Sequence, residues 1–139
     1  MTGKITVNLP HSHDLREQNV LTHMPDGETI STVAEAMKLL GDPSRLRIFW
    51  ILCHCEECVL NIAAMTGMSS PAVSHHLRLL KSGGLIVSRR AGKEMYYRAA
   101  ETELAQALHR ASEQVAKISC PDAPIPEDAH TPQNQEVSL

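Results

Sequence analysis

The chain has 139 residues, 42% of them hydrophobic, 21% charged and only 3% aromatic, which fits a single soluble globular domain with tails and an aliphatic core. No run of about 18 apolar residues is present and the first thirty residues hold no apolar secretory segment, so a membrane span and an export signal are not expected. A net charge of −3 by itself argues against nucleic acid, and four cysteines in a chain expected in the cytoplasm point to metal binding or thiol chemistry before a disulfide framework.

In chain order, residues 1–29 are polar and irregular, with "HSHD" and a turn-like Pro25-Asp26-Gly27, and read as a flexible arm with room for a short helix. Ile30, Val33, Ala34, Met37 and Leu40 then recur at helical spacing, and Gly41 ends that helix. A second helix reopens at once in "GDPSRLRIFWIL". Asp42 serves as its N-cap and Pro43 as its first residue, and Leu46, Phe49, Trp50 and Cys53 face inward. A third, short helix spans about Val59 to Thr66, broken by Gly67. After the turn "GMSSP", Ser69 or Ser70 caps a fourth helix whose buried stripe is Val73, Leu77 and Leu80. "LIVSRR" and "EMYYRA" are β-prone segments joined by Ala91-Gly92-Lys93, a hairpin signal. A final helix from Glu101 to about Ile118 carries Leu104, Ala107, Leu108, Ala111 and Val115 on one side. The tail, 119–139, has four prolines and little apolar mass and reads as disordered. The domain proper is therefore 30–118. Its order, α-α-α-α-β-β-α, describes a mainly α winged helix-turn-helix.

Charge distribution supports that reading where the total does not. Between Arg78 and Arg98 stand six cations (Arg78, Lys81, Arg89, Arg90, Lys93 and Arg98) against Glu94 alone. On the fourth helix Ser70, Ser74, His75, Arg78 and Lys81 are left facing outward. Short hydroxyls near a helix N-terminus can enter a major groove, where the free N–H groups also favour phosphate. Ser, His and Arg can bond base edges. Arg89, Arg90 and Lys93 on the hairpin would lie along the adjacent backbone or minor groove. Ser69 and Ser70 can equally be simple caps, and the cations a solvated face. Six phosphate contacts would give a log–log salt slope of about −5 per subunit.

"GDPSRLRIFWIL" and "SSPAVSHHLRLLKSGGLIVSRRAGKEMYYRA", with a cysteine cluster between them, resemble the ArsR/SmtB family of metal-responsive bacterial repressors over about residues 30–118. The resemblance implies a homodimer formed through the first and last helices, a winged helix-turn-helix in each subunit, and release of double-stranded operator DNA when a ligand binds. It places Ser70, Ser74, His75 and His76 in the recognition helix and Arg89 to Lys93 in the wing. A dimer is also expected physically, since the apolar faces of the first and last helices would stay uncovered on a lone subunit. Two-fold symmetry then predicts a palindromic operator with half-sites about 34 Å apart.

Cys53, Cys55 and Cys58 read C-x-C-x-x-C in "LCHCEECVLNIA". A continuous helix would put Cys55 and Cys58, but not Cys53, on one face; a loop at "HCEE" lets all three converge. Thiolates suit a soft or borderline ion: Zn, Cd or Pb first, Cu or As after them. Three sulfurs make a trigonal site and a fourth ligand a tetrahedral one; His11, His13 and His23 on the arm are added candidates. The resemblance matches Cys58 to a family sensing position at the start of the third helix. The expected second cysteine, however, is Leu60, and a carboxylate used by some members is Asn61. The family's other site, on the last helix, needs an Asp-x-His pair and a later His with a carboxylate; the matching residues are Glu101, Glu103, Gln114 and Lys117. His109 and Glu113, at i and i+4, form a reduced version. Cys53 on an inward face is as readily a packed core thiol. A metal tying the helix junction to the arm would fix the tilt of the third and fourth helices, with a coupling of about 1–3 kcal/mol.

Two rivals stand beside the metal-sensing repressor: an oxidant- or persulfide-responsive thiol switch on the same fold, pairing Cys55 with Cys58 or Cys53 with Cys120, and a small metal carrier. No Ser-His-Asp order, phosphate-cradling glycine loop or H-E-x-x-H points to an enzyme.

Overall fold

The computed structural model describes residues 7–117. The tail with Cys120 and the first six residues of the arm lie outside them. The elements in order are α1 (Arg16–His23), α2 (Gly27–Leu40), α3 (Pro43–His54), β1 (Glu57–Cys58), α4 (Val59–Thr66), α5 (Ser70–Ser82), β2 (Ile86–Ala91), β3 (Glu94–Ala99) and α6 (Glu103–Ala116). The result is a mainly α winged helix-turn-helix.

Side-chain caps set most of the helix starts. Asp26 accepts from the Thr29 N–H at 2.7 Å, so α2 begins at Gly27, ahead of its first apolar residue at Ile30. Asp42 accepts from the Arg45 N–H at 3.0 Å, with Pro43 leading α3. Ser69, not Ser70, caps α5, accepting from the Ala72 N–H at 3.3 Å. Thr102 caps α6 through the Ala105 N–H at 3.2 Å, which moves the start of that helix from the expected Glu101 to Glu103. At the turn between α4 and α5, Gly67 takes φ 68°, where a side chain would be strained.

The sheet differs from a plain hairpin. It has three antiparallel strands in the order β1-β3-β2. Glu57 pairs with Tyr97 and Cys58 with Tyr96. Segment 57–58 is too short for any period-2 signal, so β1 is invisible to patterning. The hairpin itself keeps its place, with strands that extend to Ala91 and from Glu94 and leave Gly92-Lys93 as the turn.

The core is aliphatic apart from Phe49. Ile48, Phe49, Ile62, Val73, Leu77, Leu80, Leu85 and Ile86 are sealed between α3, α4, α5 and the base of the wing. Each such side chain contributes roughly 1.5–3 kcal/mol by leaving water. The opposite side is different. Ile30, Val33 and Met37 of α2 are 48%, 37% and 59% exposed, and Val115 of α6 is 85% exposed. Met37, Leu40, Leu46, Leu108, Ala111 and Val115 line a shallow apolar depression there.

Candidate nucleic-acid interface and effector site

The inward stripe of α5 is buried as expected: Val73, Leu77 and Leu80 are at most 1% exposed. That rotation leaves Ser74, His75, Arg78 and Lys81 in solvent and Ser70 half-buried at the first turn. Ser69 is committed to its cap. Lys81 donates from Nζ to Ser88 Oγ at 2.7 Å, which ties the last turn of α5 to β2 and holds helix and wing side by side. Arg90 and Lys93 are exposed near the wing tip. Arg89 is engaged elsewhere: its guanidinium forks onto Glu56, with Nε 2.8 Å from Oε1, and packs 5.3 Å from the centre of the Tyr96 ring. The Arg89 guanidinium beside Glu56 holds that carboxyl below its usual range.

The three thiols occupy three different settings. Cys53 lies in the last turn of α3, half-buried. Burial, then the nearby charge of Glu113, pushes its thiol up to about 12. Cys55 is exposed at the C-cap of α3, in extended backbone, and its S–H donates to the Ile51 carbonyl at 3.4 Å. Its thiol is raised as well, by burial and by Glu57. Cys58 is buried, the last residue of β1 and the N-cap of α4. All three are free. His11 and His13 stand exposed on the arm with ring centres 6.0 Å apart, and His23 ends α1 with Nδ1 2.8 Å from the Asn19 carbonyl oxygen. Among the described residues, neither the thiols nor these arm histidines belong to any group of three ligand-type side chains with converging donor atoms.

One such group does exist. His54, at the end of α3, meets His109 and Glu113 of α6, and the donor atoms of all three lie within 4.8 Å of one another. His54 Nε2 is 2.9 Å from His109 Nε2. Glu113 reaches His109 Nε2 at 2.9 Å through Oε1 and His54 Nε2 at 3.5 Å through Oε2. The Trp50 indole N–H donates to Oε2 at 3.3 Å, and the Trp50 ring sits 4.6 Å from that of His54. The pair His109–Glu113 is legible in the sequence; His54 as its partner is not. The available signal was two i, i+4 pairs, Trp50/His54 and His109/Glu113, on helices that each carry an inward face. Beside this group a cavity of about 300 Å³ opens between α3, β3 and α6, lined by Cys53, Cys55, Glu56, Arg98, Glu101 and His109 among others.

Residues 42–88 match the model of the bacterial regulatory protein arsR family. The chain is 43% identical over 72 residues to a transcriptional repressor SmtB homologue of Synechocystis, a match covering 52% of this chain and 54% of that protein, so it spans about half of that relative's length. It is 35% identical over 99 residues to the transcriptional regulator NmtR of Mycobacterium tuberculosis, covering 71% of this chain and 82% of that one. Among solved structures, the homodimeric winged helix-turn-helix DNA-binding domain of a Mycobacterium bovis protein superposes with a TM-score of 0.59 at 35% identity, over 68% of this chain and 90% of that domain.

Proposed function

The chain belongs to the arsR family of bacterial regulatory proteins, and from that premise we propose that it is a metal-responsive transcriptional repressor that binds a palindromic operator as a homodimer. The observation that carries the reading is the joint surface of α5 and the wing. Ser74, His75 and Arg78 face solvent on the helix, Arg90 and Lys93 do so on the hairpin, and the Lys81–Ser88 bond holds the two elements together. One helix suited to a major groove beside a cationic strand pair suited to the flanking backbone is a duplex-reading arrangement.

The second copy covers the apolar face of α2 and α6. Ile30, Val33, Met37 and Val115 are too exposed for a face that stays in water, and the similar Mycobacterium bovis domain is homodimeric. Two-fold symmetry through these helices sets the spacing of the recognition helices, and a ligand that changes this spacing releases DNA. The soft ion in this reading is ligated by the thiols of Cys53, Cys55 and Cys58. The junction must rearrange, because the three sulfurs, set in a helix, a cap and a strand, do not converge in one group of ligand atoms, and burial raises the Cys53 thiol.

The test is electrophoretic retardation of DNA from upstream of the chain's own gene, across salt and with Zn²⁺, Cd²⁺, Pb²⁺, Cu⁺ and arsenite. With Arg89 held by Glu56 and Arg98 beside Glu101, four cations (Arg78, Lys81, Arg90 and Lys93) remain for phosphate, and the expected result is a complex whose affinity falls with a log–log slope of about −4 per subunit and which one of these ions dissociates. A monomer indifferent to duplex DNA at low salt would overturn the reading.

A further inference from the structure

We propose that His54, His109 and Glu113 form a binding site for a borderline first-row divalent cation such as Zn²⁺, Co²⁺ or Ni²⁺, distinct from the three thiols. The proposal rests on the metal-responsive reading only for its regulatory consequence.

A tetrahedral ion with ligands at 2.0–2.1 Å separates its donor atoms by about 3.3 Å. The two imidazole Nε2 atoms are 2.9 Å apart, Glu113 Oε1 is 2.9 Å from that of His109 and Oε2 is 3.5 Å from that of His54, and with one ligand atom per residue all three donors lie within 4.8 Å of one another. One donor from each residue can therefore close into a triangular face of such a polyhedron with small side-chain movements, leaving a fourth position for water. The side chains are neither sealed nor loose: His54 is 9% exposed, Glu113 14% and His109 21%. An ion can enter, and little water stays to compete.

Chemistry narrows the ion. Two imidazole nitrogens and one carboxylate oxygen suit Zn²⁺, Co²⁺ and Ni²⁺, and the set lacks the sulfur that Cd²⁺, Pb²⁺ or As³⁺ would favour. The site also has an outer support. The Trp50 N–H holds Glu113 Oε2, the kind of contact that orients a ligating carboxylate. His109 and Glu113 sit one turn apart on α6, while His54 comes from α3, so the ion would bridge two helices rather than decorate one.

The bridge has a consequence. α6 carries part of the apolar face assigned to the partner subunit. The end of α3 leads directly into the junction holding β1 and α4. An ion that clamps the two fixes the angle between the dimer face and the reading head, a quantity on which operator fit depends. Its effect on DNA requires that the clamped and unclamped angles differ in affinity for the ion.

Co²⁺ titration of the full chain tests the site. The variants are His109→Gln, His54→Gln, Glu113→Gln and a Cys53→Ser/Cys55→Ser/Cys58→Ser triple. Two readouts are independent of DNA: the visible d–d bands of cobalt, with or without near-ultraviolet sulfur-to-cobalt charge transfer, and quenching of Trp50, the chain's one tryptophan. The expected result is d–d absorption without sulfur charge transfer and with Trp50 quenching. The triple cysteine variant should keep it, and each of the other variants should weaken it at least about 10-fold, the loss typical even of an outer-shell contact. Sulfur charge transfer that disappears in the cysteine variant, with normal binding by His109→Gln, overturns the site. Far-ultraviolet circular dichroism checks that the variants fold, and agreement among the three conservative substitutions guards against one misfolded protein. Operator retardation with Co²⁺ then separates the two claims. If cobalt releases DNA from His109→Gln as it does from wild type, the regulatory consequence of this site is overturned and the repressor reading stands. If no duplex binding occurs at any salt while cobalt still binds at His54, His109 and Glu113, the repressor reading fails and the site stands.

Discussion

Two groups of ligand-type side chains meet near the C-terminal end of α3, and they relate sequence to space in opposite ways. Cys53, Cys55 and Cys58 lie within six positions, yet a helix end divides them: one is in the last helical turn, one in an extended cap, and one in a buried strand. His54 and His109 are 55 positions apart, yet their Nε2 atoms are 2.9 Å apart. Close spacing predicts convergence only inside one regular element, where the period is fixed. Across a helix terminus the backbone turns and the spacing loses its meaning. Two separated i, i+4 pairs on packed helices converge because packing brings their faces together.

Thiol reactivity should separate the cysteine settings most strongly. At pH 8 Cys55 should react with a charged disulfide reagent roughly 100-fold faster than Cys53, whose thiol is pushed up to about 12 and half-buried. Alkylation followed by peptide mass spectrometry reads the two rates. The Cys53 rate should keep climbing with pH well above 9, because its thiolate fraction grows until the pH reaches its own high pKa. Equal rates for the two would mean that the cysteines share one environment after all.

A smaller effect sharpens the other side. Glu113→Ala removes the acceptor for Trp50 and both histidine contacts, and should cost about 1–3 kcal/mol in urea unfolding. Cys55→Ser, at an exposed cap, should stay within about 0.5 kcal/mol of wild type. The reverse order would move the structural anchor from the α3–α6 contact to the cysteine junction.

The smallest expected change concerns the junction's tie to the wing. Glu56→Gln removes the carboxylate on which Arg89 forks and leaves that guanidinium for phosphate. Operator affinity should rise a few-fold and the salt slope steepen by about 1, both measurable by fluorescence anisotropy across a salt series.

Much of the fold was readable in advance, for a physical reason. The helices that build the core each carry a strong cap or breaker: Asp42 with Pro43, Ser69 with Pro71, and Gly67 at a left-handed position. The inward stripe of α5 keeps one period over two turns in Val73, Leu77 and Leu80, whereas α3 buries Ile48, Phe49, Ile51 and Leu52 and leaves Leu46, Trp50 and Cys53, expected inward, only half-buried. The helix α1 gives a weaker signal, since it buries nothing. β1 gave none, because two residues cannot display a pattern. Two of the three members of the His–Glu group, His109 and Glu113, were visible. His54 stands in sequence among the cysteines, and the α3–α6 contact that joins it to His109 is a product of tertiary packing. The engagement of Arg89 by Glu56 was hidden for the same reason: the two are 33 positions apart.

The short strand β1 has one more consequence. Cys58 both closes β1 against Tyr96 and starts α4, so the entrance of the helix-turn-helix and the middle strand of the wing share main-chain bonds. The two parts that would touch adjacent grooves are thus leaves of one hinge plate, not separate fingers. Under the proposed function, a displacement at the junction would lift both from the duplex in unison, making disengagement all-or-none and leaving little tolerance for half-sites whose groove widths disagree.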